Sequence, residues 1–106
     1  MLTTRDLNTG ERLLIERRRA GQNQTEAAAA YDLSEWQYRQ CEANESDRIP
    51  APPLGRLQDF EACMIMRRRA GLKRTELAAQ LEISGWWLTR MERGQVNPER
   101  LVTFWS

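Results

Sequence analysis

Trp86, Arg90 and Arg93 stand at i, i+4 and i+7 in the stretch LEISGWWLTRMERG, residues 81–94. At 3.6 residues per turn these three fall on one face of a helix. Leu88 and Met91 share a different face, with Ser84 at its start as an N-cap. The helix so predicted spans residues 85–93 and follows a short helix and a tight turn. A buried helix has no need of a large aromatic beside two guanidinium groups. A helix laid in the major groove of DNA does, because arginine meets guanine edges and an apolar side chain meets a thymine methyl. Lys73 and Arg74, at the start of the preceding helix, extend the same basic cluster and suit phosphate.

Other chemistries find little support. The chain has no histidine and only two cysteines, Cys41 and Cys63. That is too few for a disulfide scaffold and leaves no expected zinc site, so both read as reduced core thiols. No glycine-rich phosphate loop and no nucleophile–base set is visible, so neither an enzyme, a cofactor nor a metal is expected. No apolar run approaches a membrane span, and the polar N-terminus is unlike a signal peptide, which predicts a soluble cytoplasmic protein. Net charge is +1, but it is unevenly spread. Residues 1–50 carry seven Arg and nine acids, a balance of −2. Residues 51–106 carry nine Lys or Arg and six acids, a balance of +3. A phosphate-binding surface is therefore expected in the second half.

The elements that position these residues occur twice. Residues 17–42 align without gaps to residues 67–92 at an offset of fifty, with twelve of twenty-six positions identical. Two copies are too few for a solenoid, so two small helical domains are expected, 1–50 (acidic) and 51–106 (basic). Asn8 with Glu11, Asn23 with Glu26, and Ser34 with Gln37 read as capping boxes opening three helices of the first copy. Residues 43–53 hold three prolines and read as a linker or loop. Leu54, Leu57 and Phe60 then recur at helical spacing. They predict a fourth helix of the first copy, or one continuous helix over 53–70, against which Gly55 counts by about 1 kcal/mol. Asn97 and Pro98 open a last helix that carries Leu101, Phe104 and Trp105. The face Leu13, Leu14, Ile15 and its counterpart Cys63, Met64, Ile65, Met66 is wider than a three-helix core needs. The surplus is expected either to bury the copies against each other or to form a dimer seam. No useful period-two alternation appears, so the fold class is all-α, with two tandem bundles of about four helices each.

Gly71-Leu72-Lys73-Arg74-Thr75-Glu76-Leu77-Ala78, then Leu81, Ile83-Ser84, Leu88, Met91-Glu92, Gly94 and Pro98 form a pattern. It resembles the helix–turn–helix domain of phage lambda-type repressors and Cro proteins, also called the xenobiotic-response-element type. The resemblance covers residues 60–101 well and residues 11–42 less closely. It implies a structural ion pair from Arg67 to Glu92 and from Arg17 to Glu42. It places Ala28 and Ala78 where the two helices of the motif approach closely. Gln24 and Arg74 occupy a position that often contacts phosphate or a base. Gly85, Trp86, Trp87, Thr89 and Arg90 occupy positions that usually face the groove. With Lys73, Arg74, Thr75, Ser84 and Arg93 they make the expected DNA-binding set; Asn23, Gln24, Glu35, Trp36, Gln37 and Arg39 make a weaker one.

Three positions depart from the family pattern. Asp32 and Glu82 stand where the turn is often Gly. Lys73 replaces the usual Ser or Thr cap, so Thr75 is expected to cap a helix that starts later. Glu16 stands at an apolar position. The first copy also has Gln40 and Ala43 in place of Arg90 and Arg93, and Glu35 at its helix start repels phosphate. Trp87 is expected to be half-buried. Trp86 and Trp36 either touch DNA, anchor a protein partner, or fold back over the protein. RRRAG at 17–21 and 67–71 reads mainly as charge complementing a helix C-terminus, beside the ion pair. The reading is a sequence-specific DNA-binding regulator, a repressor of phage or mobile-element origin by resemblance, bound to double-stranded DNA as a homodimer. The competing reading is a protein-binding module that uses the tryptophans as partner anchors.

Overall fold

Three capping residues decide where the first helices begin. The Asn8 side chain accepts from the Glu11 amide at 2.8 Å and the Glu11 carboxylate accepts from the Asn8 amide at 3.0 Å. Asn23 with Glu26 and Ser34 with Gln37 repeat this reciprocal arrangement. Each box satisfies donors that a helix start leaves orphaned. The computed structural model describes residues 1–106 and holds seven α-helices and no strand. They are α1 (Thr9–Arg19), α2 (Gln24–Ala30), α3 (Glu35–Glu42), α4 (Asp59–Arg69), α5 (Arg74–Leu81), α6 (Gly85–Glu92) and α7 (Glu99–Trp105). The chain divides into two compact units, residues 4–56 and residues 57–106, the latter with residues 1–3.

In the first unit α3 packs against both α1 and α2. The core is Leu13, Ala27, Ala28, Tyr38, Cys41 and Ile49. α1 and α3 meet so closely at Gly10 that a Cβ there would lie 2.1 Å from the Glu42 carbonyl oxygen. Only glycine fits, and its amide donates to Asn44 Oδ1 at 2.9 Å. Glu16, out of place in the family pattern, accepts the Tyr31 hydroxyl. Burial and that carboxylate push the Tyr31 hydroxyl up to about 12.

The expected helix over residues 53–70 does not form, and neither does a separate one around Leu54 and Leu57. α4 begins only at Asp59, and Gly55 adopts a left-handed φ of +66°. The carbonyls in this stretch are already taken by arginines. Arg19 donates to the Leu54 and Arg56 oxygens at 2.7 Å each, and Arg12 reaches the Pro52 oxygen. The segment through Arg56 thus belongs to the first unit, which has three α-helices and a 3-10 turn at Thr4–Asp6 in place of a fourth. Arg19 of the first RRRAG block is accordingly engaged by the protein.

In the second unit α4 packs on α6 and α7, and α5 packs on α6. Its core is Cys63, Leu77, Ala78, Leu81, Leu88, Met91 and Leu101. Burial pushes the Cys63 thiol up to about 12, helped by the nearby Asp59 and Glu92 carboxylates. α5 starts at Arg74, with Lys73 as N-cap, so Thr75 caps nothing. Lysine has no acceptor to offer, and half a box suffices: the Glu76 carboxylate accepts from the Lys73 amide at 3.0 Å. Glu82 closes α5 in the left-handed region at φ 56°, as Asp32 does in the first unit at φ 57°. α7 starts at Glu99 with Pro98 as its N-cap, one residue later than expected; Asn97 Oδ1, one position before the cap, accepts from the Glu99 amide at 3.1 Å, and Arg100 ties α7 to the Leu81 carbonyl. Leu14, Ile15, Met64 and Ile65 are buried. No helix is long and apolar enough to cross a membrane.

Candidate nucleic-acid interface

α6 is held from behind by one buried carboxylate. Glu92 Oε2 accepts from Arg67 Nε at 2.6 Å, and Glu92 Oε1 accepts from Arg74 Nε at 3.3 Å. Arg67 also donates to the Leu72 oxygen at 3.0 Å. One side chain on α6 is thereby fixed to the end of α4 and the start of α5. The first unit repeats the arrangement: Arg17 Nε meets Glu42 Oε2 at 2.7 Å, and Gln24 Nε2 meets Glu42 Oε1 at 3.2 Å. A clamp of this kind sets the angle at which α5 and α6 meet. Ala78 is buried in the core of this unit, in which α5 packs on α6.

With Glu92, Leu88 and Met91 turned inward, the opposite face of α6 is open. Trp86 is 64% exposed and Trp87 is also exposed, more than the half-burial expected of it. Both tryptophans are therefore on the surface, with ring centroids 5.9 Å apart. The Arg90 guanidinium lies over the Trp86 ring at 4.7 Å from its centroid. Arg90 itself is only partly exposed, and its Nε is buried with no hydrogen-bond partner. Arg93 is the exposed C-cap of α6. Gly85 opens the helix with nothing within 4 Å of where a Cβ would stand, so the backbone is free to approach a ligand there. Lys73 and Thr75 are exposed at the start of α5.

Three residues of the expected set have polar groups already in use. Ser84 Oγ accepts from the Trp87 amide at 3.1 Å as a helix cap. The Thr89 hydroxyl donates to the Gly85 oxygen at 2.9 Å. Arg74 is partly committed to Glu92. The sequence reading missed the stacking of Arg90 on Trp86, although their i, i+4 spacing was its signal.

The equivalent surface of the first unit differs in charge. Trp36 is 68% exposed, but Glu35 and Arg39 beside it pair with each other at 2.8 Å across one helical turn. Asn23 is spent on its cap, Gln24 on Glu42, and Gln37 on the Ser34 amide. This face offers no unpaired cation at the start of α3.

Residues 65–103 match a family described as a helix-turn-helix domain. No curated protein and no solved structure matches the chain. The matched residues span the end of α4, all of α5 and α6, and most of α7, which are the elements that build the clamp and the open face. In matched family and in helix order, residues 65–103 are thus similar to a helix–turn–helix domain, a class that suggests DNA-binding regulation.

Proposed function

We propose that the protein is a sequence-specific transcriptional regulator that reads the major groove of double-stranded DNA with α6. The observation that carries this is the open face of α6: Trp86, Trp87, Arg90 and Arg93 outward, with an uncovered Gly85 at its start. A clamped helix with one polar-aromatic face toward solvent has the shape of a groove reader. The balance of +3 over residues 51–106 supplies the attraction to phosphate. Action as a repressor, an origin in a phage or other mobile element, and binding as a homodimer to an inverted repeat follow from the lambda-type resemblance. The fifty-residue offset supports a tandem duplication in which the first helix–turn–helix is the weaker reader. We place the protein in the cytoplasm and assign it a binding role, not a catalytic one.

A second reading draws on Trp36. A tryptophan so exposed on an acidic unit suits a protein partner better than phosphate. One experiment separates the two: binding of the full chain to duplex DNA from upstream of its own gene, measured against salt. Lys73 and Arg93 on phosphates would give a slope of log K against log salt of about −1.8 per chain. Arg90→Ala should weaken binding. A flat salt response with no preferred sequence removes the DNA reading and favours the protein partner.

A further inference from the structure

We propose that α6 recognises a guanine whose neighbouring base pair carries a thymine, with Arg90 on the guanine edge and Trp86 on the thymine methyl. This rests on the DNA reading above and names what that surface selects. The argument begins with elimination. On α6 and its cap, Ser84 and Thr89 have their hydroxyls engaged within the helix, and at the start of α5 Arg74 is turned to Glu92. Arg93 is the C-cap, just past the last residue of the helix and about one turn beyond Arg90. Hydrogen-bonded base readout therefore falls to Arg90.

Its setting makes it a prepared reader. The guanidinium carbon lies over the Trp86 indole at 4.7 Å from its centroid, which restrains where the fork stands. Nε is buried and unpartnered, which leaves the terminal Nη groups as the end that meets a ligand. Two parallel donors from a planar fork match guanine O6 and N7. Trp86 is on the same face one turn toward the N-terminus, stacked on that fork and well exposed. Base pairs stack at about 3.4 Å, so a ring 4.7 Å from the guanidinium carbon comes beside a neighbouring base pair when the fork meets its guanine. What that ring offers is apolar surface, and the C5-methyl of thymine is the major-groove feature such a surface fits.

The test uses the full chain and a library of randomised duplexes. Selection should enrich a site containing a guanine adjacent to a thymine-bearing pair. On the enriched duplex, 7-deazaguanine at that guanine should weaken wild-type binding about tenfold. Uracil in place of the thymine, which removes only the methyl, should weaken it about fourfold. Arg90→Met keeps the apolar stem but removes every donor; it should retain the salt slope and become insensitive to 7-deazaguanine. Trp86→Ala, at an exposed position, should stay folded by circular dichroism and become insensitive to the uracil change. An enriched site without that guanine, or equal sensitivity of Arg90→Met and wild type to 7-deazaguanine, overturns the assignment while the DNA reading stands. No enrichment of any sequence removes both.

Discussion

Arg67→Ala tests the clamp behind α6. The side chains of Arg67 and Glu92 are 9% and 0% exposed, so the substitution strands a carboxylate that water cannot reach. Breaking a buried pair from one side costs about 3–5 kcal/mol. The lost bond to the Leu72 oxygen adds about 1 kcal/mol. Arg74 Nε, 3.3 Å from the same carboxylate, offsets part of this, which places the expected loss near the lower end of that range. A unit of about fifty residues has about 2.5–7.5 kcal/mol of stability in all. Arg67→Ala should therefore bring the C-terminal unit close to its unfolding threshold at 25 °C. Arg17→Ala should cost less, because that pair is more accessible at 17% and 9% and Gln24 remains on Glu42. Urea unfolding followed by tryptophan fluorescence reads both, since Trp86, Trp87 and Trp105 report on the second unit and Trp36 on the first. The double variant Arg67→Met with Glu92→Leu removes both charges and should recover most of the stability. The reasoning fails if Arg67→Ala loses less than about 1 kcal/mol, or if the double variant is no more stable than the single one.

Two further outcomes follow from the packing and the buried titrating groups. Gly10→Ala drives a methyl to within 2.1 Å of the Glu42 carbonyl oxygen, so α1 and α3 must separate; a loss of about 3 kcal/mol or more is expected in the first unit by the same unfolding assay. Alkaline stability should fall as pH rises from about 9 to about 12. Folding holds the Cys63 thiol and the Tyr31 hydroxyl protonated up to about 12, while the unfolded chain releases these protons near 9 and 10, so the native state binds more protons across that window and is penalised by rising pH. Tyr31→Phe should flatten part of the slope in urea midpoints measured from pH 8 to 11.

Much of this protein could be read from order and spacing alone. Capping boxes are local: a side chain three residues away satisfies the helix start, so Asn8, Asn23 and Ser34 mark α1, α2 and α3 without reference to the rest of the chain. Helical period likewise separates Leu88 and Met91 from Trp86 and Arg93, because which face a residue occupies depends only on its number. The fifty-residue offset needed no coordinates either. What the chain does between Ala43 and Gln58 depended on tertiary structure. Leu54, Leu57 and Phe60 have helical spacing, but guanidinium groups from α1 bind the carbonyls that a helix would have used, and such partners are distant in sequence. The same holds for the working surface. Residue type made Ser84, Thr89 and Arg74 equal candidates with Arg90, and only three-dimensional placement showed which polar groups already have a partner and which arginine lies over an exposed indole. Local hydrogen bonding and period are properties of neighbours in sequence, whereas the availability of a side chain is decided by whatever the fold brings next to it.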